Sequence, residues 1–276
     1  MGLDFLLYCA IQASLQAGEA IMSVYNSDIL VELKEDKSPL TLADKKSNEV
    51  ITNLLKDTPY PILSEEGKSI PYSERKDWER FWLIDPLDGT KEFIKRNGEF
   101  TVNIALIENG IPIIGVIYVP VTDYLYFASK ERGAYLVSDH NLEFEFEMQV
   151  ENSKPAQELK ILQHSGDKLP LKKKARPFTA VASRSHLSPD TENYLNTLKE
   201  KHGEVEMISS GSSLKLCLVA EGKADVYPRL APTMEWDTAA GQAIAECAGK
   251  KVTDFNTGLP LTYNKENLLN PSFIVQ

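Results

Sequence analysis

The run Phe81-Trp82-Leu83-Ile84 is followed at once by Asp85-Pro86-Leu87-Asp88-Gly89-Thr90. Consecutive apolar residues of this kind read as a buried strand. Its end delivers two carboxylates into a tight turn closed by a glycine and a hydroxyl. Two anions at a buried strand end are costly, because like charges so close cannot both stay ionised without compensation. A hard divalent cation held by oxygens is the usual compensation. The bland alternative is an Asp-Pro turn in which Asp88 caps the helix that follows.

The surrounding pattern says what kind of sheet this strand joins. Leu3, Leu6, Leu7, Ala10, Ser14, Ala17 and Ile21 follow one helical face, as do Ala43, Ser47, Val50, Ile51, Leu54 and Leu55, so two amphipathic helices open the chain. After the Asp-rich strand, Val102, Ile104 and Leu106 alternate within 101–107, and Asn109-Gly110 turns the chain into a second strand through Val119. That is a hairpin, continued by 124–128 and 134–137 as an antiparallel meander.

Residues 139–176 turn polar, with Glu143, Glu145, Glu147, the run Lys172-Lys173-Lys174, and Pro155 and Pro170, with Pro177 just after. They read as an excursion between lobes, with the lysine triplet a solvated turn. The last hundred residues alternate strand and helix. Strands are expected at 178–182, 205–208 and 224–227. Helices are expected from Ser188-Pro189 to near Gly203, from Ser212 to Glu221, and from Asp237 to Ala248, followed by short terminal strands. The expected organisation is an N-terminal α+β lobe over 1–138, a polar segment over 139–177 and a C-terminal α/β lobe over 178–276.

Forty acidic against thirty basic residues give a formal charge of -10, which disfavours binding to a nucleic-acid polymer. Cys9, Cys217 and Cys247 are odd in number and far apart. They fit core thiols in a reducing compartment and no structural zinc. Asp4 stands where a signal peptide would be basic, and 111–121 is too short to span a bilayer. The chain therefore reads as cytoplasmic with no integral membrane segment, peripheral contact at the inner membrane staying open.

Other acids have sound structural excuses when taken singly. Glu65-Glu66 closes the apolar run Tyr60-Pro61-Ile62-Leu63 and could be a solvated loop. Asp237 could be an N-cap, and Thr41-Leu42-Ala43-Asp44 matches a capping box. Taken together they describe a site of carboxylates with no histidine or cysteine cluster nearby, which selects magnesium or manganese over zinc or copper. Such a site suits phosphoryl transfer to water, with two ions clamping a phosphate. Gly89-Thr90-Lys91 would open a helix whose free N–H groups receive it. A second anionic group on the substrate would need cations, for which the candidates are His186, Ser212, Lys215 and Arg229.

Asp85-Pro86-Leu87-Asp88-Gly89-Thr90 together with Trp236-Asp237-Thr238-Ala239-Ala240-Gly241 resembles the paired signature of the inositol monophosphatase-like, magnesium-dependent, lithium-sensitive phosphatases. The resemblance runs from Lys34 to the Trp236 helix, apart from 139–176. It implies a layered αβαβα sandwich. Asp88 to Phe93, Asn97 to Asn103, Ala182 to His186 and Gly211 to Lys215 resemble the CysQ-type 3'(2'),5'-bisphosphate nucleotidase branch. That branch implies hydrolysis of 3'-phosphoadenosine 5'-phosphate to AMP, and of its sulfated relative, in sulfate assimilation.

By the same resemblance, Glu65, Asp85 and the Leu87 carbonyl would hold one Mg2+, with Mn2+ a substitute. Asp85, Asp88 and Asp237 would hold a second, and Asp44 would help bind a third or a water. Glu65 with Thr90 would deprotonate the attacking water, and Gly89 and Thr90 would contact the scissile phosphate. His186, Ser212, Lys215 and Arg229 would lie near the nucleotide. A monomer or homodimer is expected. A phosphatase for inositol or sugar monophosphates and a noncatalytic phosphonucleotide sensor are the alternatives.

Overall fold

A computed structural model describes residues 1–25, 31–33, 39–138, 155–172, 175–182 and 188–276, with backbone alone for 31–33 and 39–41. In chain order the elements are α1 (Leu3–Tyr25), β1 (Val31–Leu33), β2 (Pro39–Thr41), α2 (Leu42–Leu55), β3 (Ile62–Ser64), α3 (Tyr72–Arg75), β4 (Arg80–Asp88) and α4 (Thr90–Ile94). Next come β5 (Thr101–Glu108), β6 (Ile111–Val119), β7 (Tyr124–Ser129), β8 (Gly133–Val137), α5 (Pro155–Ser165) and β9 (Asp167–Lys168). The remainder is β10 (Phe178–Ala182), α6 (Pro189–His202), β11 (Val205–Ser209), α7 (Leu214–Glu221), β12 (Tyr227–Arg229), α8 (Ala239–Cys247), β13 (Val252–Asp254) and β14 (Phe273–Val275).

β3 to β9 form a seven-stranded sheet in chain order, antiparallel except for the β3–β4 pair. α1 and α2 pack together and cover one face, and α8 with α7 covers the other. Beyond α7 lie the parallel pair β10–β11 and the sheet β12-β14-β13, linked by an isolated bridge between Ala180 and Val226. α6 backs this second sheet. The result is five layers in the order αβαβα, as the sequence resemblance implies.

Period-two alternation explains why both faces of the large sheet stay dry. On β4, Trp82 and Ile84 enter the core beneath α1 and α2, whereas Phe81 and Leu83 enter the core beneath α7 and α8. Val102, Ile104 and Leu106 of β5 repeat the first direction, and Ala105 and Ile107 the second. A Cβ added at Gly115 of β6 would lie 2.3 Å from the Ala240 carbonyl oxygen. Only glycine there lets α8 sit directly on the sheet.

Helix α1 is long and apolar enough to cross a membrane by length and composition alone. Twelve of its residues are buried against the rest of the protein, and Gly18 sits close under the Tyr118 ring. It is a core helix of this sandwich. Peripheral membrane contact finds no support among the described residues.

Several boundaries differ from the sequence reading. The helix expected from Asp237 begins at Ala239, after a short 3-10 turn at Glu235–Asp237. The helix expected from Ser212 begins at Leu214, and the strand expected at 224–227 is shifted to Tyr227–Arg229. Residues 155–168 are not a free excursion: α5 packs on α1, and β9 extends the large sheet by pairing with β8. The apolar positions Leu159 and Leu162 of α5 are buried, a helical spacing hidden within a polar composition. The division into two lobes remains our proposal, with 155–168 now attached to the first. Residues 139–154, Lys173 and Lys174 lie outside the described residues.

Candidate active site

β4 does not run straight into its turn. Its pairing with β5 shifts register between Asp85 and Asp88, the stretch that holds Pro86. Proline cannot donate to the ladder, so a bulge forms here and re-aims the side chains on either side. Asp85 is 2% exposed, and its Oδ1 accepts from the Leu87 N–H at 3.1 Å. The Pro86 carbonyl accepts from the Ser47 hydroxyl at 2.6 Å, which ties the bulge to α2.

β3 runs parallel to β4, and the Glu65 N–H donates to the Ile84 carbonyl at 3.1 Å. The two strands therefore end side by side, bringing Glu65 next to the Asp85 edge. Asp44 sits buried in the first turn of α2. Asp237 arrives from the other end of the chain. Its Oδ2 accepts from the Met234 N–H at 2.8 Å, closing the 3-10 turn. That turn is anchored by Glu235, which is fully buried and accepts from the backbone N–H groups of Asn264 at 2.7 Å and Lys265 at 3.0 Å and from Lys265 Nζ at 2.6 Å.

Two of the bland readings are thereby removed. Helix α4 is N-capped by Gly89, at φ 94, and not by the Asp88 side chain. Helix α8 has Thr238 at its N-cap, so Asp237 does not cap it.

These carboxylates act on one another. Burial pushes the Asp85 carboxyl well above the usual range, and the charges of Glu65, Asp88, Asp237 and Asp44 push it the same way. Burial also raises Asp88, against the pull of Lys215 and a hydrogen bond from Asn103. Asp237 is pushed up to about 8 by burial and by Asp88. Among the described residues no three Asp, Glu, His or Cys side chains close into one coordination shell. The donors are carboxylate oxygens crowded at one edge, Asp85 buried, Asp88 and Asp237 half-buried and Glu65 exposed, and such a set fits a hard divalent cation.

The site opens into a cavity of about 460 Å³. Glu65, Asp85, Leu87, Asp88, Gly89, Thr90 and Asp237 line one part of it, and Ser212, Lys215 and Arg229 line the other. Of the residues singled out in the sequence, Asp44 acts on Asp85 through its charge without lining the cavity, and His186 lies outside the described residues. Lys215 is buried, and burial pushes its ammonium down to about 8. Its Nζ donates to the Ser212 carbonyl at 2.6 Å. Arg229 Nη2 donates to the Pro232 carbonyl at 3.0 Å, while its Nε is buried with no acceptor among the described residues. Arg229 is thus incompletely paired, whereas Lys215 also reaches the Ser210 carbonyl at 3.4 Å.

Ser212 holds a different position from a simple phosphate contact. Its hydroxyl is shared between the Asp88 carbonyl at 2.8 Å and the Glu99 carbonyl at 2.7 Å. It also lies 2.2 Å from where a Cβ on Gly89 would sit, so the Asp-Gly-Thr turn needs its glycine for this approach as well as for its positive φ.

Sequence reasoning missed a supporting set. Asn103 Nδ2 reaches Asp88 Oδ2 at 3.4 Å, while its Oδ1 accepts from Ser213 at 2.8 Å and from Thr101 at 3.0 Å. All three lie inside the segments quoted for the family resemblance, which was the only signal available for them. Lys91 and Lys95 also line the cavity, and nothing in their local pattern marked them.

A profile of the Inositol monophosphatase family matches residues 3–274. The chain belongs to the inositol monophosphatase family. It is 44% identical over 269 residues to the 3'(2'),5'-bisphosphate nucleotidase CysQ of Escherichia coli (strain K12), covering 96% of each chain. The crystal structure of CysQ from Bacteroides thetaiotaomicron, a bacterial member of this family, superposes with a TM-score of 0.87 at 53% identity, covering 99% of this chain and 97% of that one. The extragenic suppressor protein suhB from Bartonella henselae superposes with a TM-score of 0.71 at 26% identity, covering 98% and 93%. This fold is thus shared with both solved structures, and the Escherichia coli relative carries the nucleotidase name.

Proposed function

We propose that this protein is a metal-dependent phosphatase that removes the 3'-phosphate of 3'-phosphoadenosine 5'-phosphate to give AMP and phosphate, and acts on its sulfated relative, in the cytoplasm. One observation carries the reading: a single cavity joins a wall of carboxylates to a wall that holds Lys215 and Arg229, the latter with its buried Nε unpartnered among the described residues. A substrate with two acidic groups matches that polarity, and relatives 44% and 53% identical bear the corresponding name.

In this reading Glu65, Asp85 and the Leu87 carbonyl hold one Mg2+ or Mn2+. Asp85, Asp88 and Asp237 hold a second, and Asp44 supports a third or a water. Bound divalent ions neutralise the carboxylates, polarise the phosphate and lower the cost of forming hydroxide from water. The Thr90 hydroxyl orients the attacking water, and the Glu65 carboxylate takes its proton. The water oxygen bonds to phosphorus as the bond from phosphorus to the 3'-oxygen breaks, the departing 3'-oxygen takes a proton from solvent water to become the hydroxyl of AMP, and Glu65 returns its proton to solvent. The Gly89-Thr90 turn steadies the transferring group. Lys215, Arg229 and His186 hold the nucleotide end, with Ser212 keeping that wall against the Asp-Gly-Thr turn. Either a monomer or a homodimer serves this chemistry, since the cavity is built within one chain.

Phosphate release is the test, measured for 3'-phosphoadenosine 5'-phosphate and inositol 1-phosphate with and without Mg2+. We expect Mg2+-dependent release with the higher kcat/KM on the nucleotide. Preference for the inositol ester would move the protein to the monophosphatase reading, and no release from either would sink the enzyme reading.

A further inference from the structure

Residues 210–213 cross from β11 to α7 and carry the cationic wall toward the Asp-Gly-Thr turn. Their backbone is unusual. Ser212 sits at φ 47, a left-handed conformation that a non-glycine residue keeps only when its surroundings impose it. Gly211 is packed so closely that an added Cβ would lie 2.9 Å from the Glu99 carbonyl oxygen.

Glu99 supplies two of the ties. Its Oε2 accepts from the Gly211 N–H at 2.9 Å, and its carbonyl accepts from the Ser212 hydroxyl at 2.7 Å. Its own N–H is fixed by Asn97 Oδ1 at 3.0 Å. From the far side, Lys215 Nζ holds the Ser212 carbonyl. The Gly211-Ser212 pair is therefore clamped at both ends: the N–H of Gly211 by an anion from the first lobe and the carbonyl of Ser212 by a cation from the second. A carboxylate accepting a backbone N–H is among the stronger neutral-to-charged hydrogen bonds.

The proposed chemistry makes no use of the Glu99 side chain, and nothing in its position reaches the reacting atoms. We propose that Glu99 is a positioning residue that sets the preference for doubly acidic substrates, by holding the Gly211 N–H, and through residues 211–212 also Lys215, at a fixed place relative to Asp88-Gly89-Thr90. This rests on the reading of the cavity as a bisphosphate site. With the carboxylate gone, the loop drifts away from the turn while the carboxylate wall stays as it is. A substrate that needs both walls then suffers, and one that needs only the carboxylate wall does not.

The experiment compares Glu99→Ala, Glu99→Gln and wild type on 3'-phosphoadenosine 5'-phosphate and on p-nitrophenyl phosphate, which has no second acidic group. Amide hydrogen exchange at Gly211 is read alongside. We expect Glu99→Ala to raise KM for the nucleotide about tenfold, with kcat within about twofold and p-nitrophenyl phosphate hydrolysis unchanged. Exchange at Gly211 should accelerate in that variant. Glu99→Gln, whose amide oxygen still accepts the N–H, should stay near wild type in both measurements. Unchanged KM, an equal loss on both esters, or a glutamine variant as weak as the alanine one would overturn the inference. A wild-type enzyme inactive on the nucleotide would instead remove the proposed substrate. The exchange measurement, and the KM comparison with whichever doubly acidic ester is turned over, would still decide the role of Glu99.

Discussion

The two walls of the cavity are built by different means. The carboxylate wall hangs on the ends of β3 and β4, inside a seven-stranded sheet whose faces are both covered. Asp85 cannot leave its place without unpairing that sheet. The cationic wall hangs on residues 210–213, the first turn of α7 and the end of β12. Hydrogen bonds from side chains to carbonyls hold it, through Ser212 and Lys215. The contrast teaches where adaptability resides. The wall that must keep several like charges together is fixed by a rigid sheet, and the wall that recognises the rest of the substrate is laced on by individually modest bonds.

Breaking the first wall should have the largest effect. Asp88→Asn removes one charge and one oxygen donor, and we expect kcat to fall more than about a hundredfold on every phosphate ester, with the fold intact by circular dichroism. Near-normal turnover in that variant would refute the assignment of this wall to the chemistry. Breaking the second wall should be selective. Lys215→Ala should raise KM for the bisphosphate nucleotide about 10- to 100-fold, the worth of one charge-assisted hydrogen bond, and p-nitrophenyl phosphate should be affected far less. Equal losses on both substrates would erase the division of labour.

A third substitution tests the joint between the layers. Gly115→Ala would push against the Ala240 carbonyl, and overpacking of this kind costs about 1–3 kcal/mol. Chemical denaturation measures it. A neutral result would mean that α8 can shift on the sheet, carrying the Asp237 turn with it.

The smallest expected effect is a pH dependence of stability in protein stripped of divalent ions. An unfolded Asp releases its proton near 3.8, whereas folded Asp237 keeps one up to about 8. Between those values the folded state binds more protons than the unfolded state, so stability falls as pH rises. Asp85 and Asp88, both raised, act in the same direction. Lys215 has the opposite sign: its folded value of about 8 lies below the ordinary 10.5, so its contribution improves as pH rises between them. The melting temperature of chelator-treated protein should therefore drop on going from acidic to neutral pH, and Mg2+ should restore it. A flat profile would show that the carboxylates are not in a common low-dielectric site.

Much of the site was legible because its chemistry is concentrated in short segments. Asp85 and Asp88 stand in one turn after an apolar strand, and the helical and alternating spacings of 3–55 and 101–119 announced the first two layers. Other parts were hidden for physical reasons. Nothing in the local sequence marks Glu235, yet it is fully buried because Lys265 and two backbone N–H groups, some thirty residues away, compensate its charge. The attachment of α5 and β9 to the first lobe was masked by polar composition, since only Leu159 and Leu162 of that helix face the core. The cap readings for Asp88 and Asp237 failed because Gly89 and Thr238 occupy the positions where a capping side chain would have to stand.

The sequence by itself determined which chemical groups exist here and in what local order: an oxygen-rich, imidazole-poor set of ligands, a glycine where a left-handed turn is required, and apolar spacings that commit segments to helix or strand. Only the tertiary structure decided which of the forty acids share one electrostatic environment. It brought Glu65 beside Asp85 by pairing β3 with β4, and it brought Asp237 to the same edge by seating α8 on Gly115. It also set Lys215 against Ser212 and Glu99 against Gly211. The physical reason is one of range. Propensity and spacing act over a few residues, whereas desolvation and charge coupling depend on distances through space between groups as far as 193 positions apart along the chain, from Asp44 to Asp237.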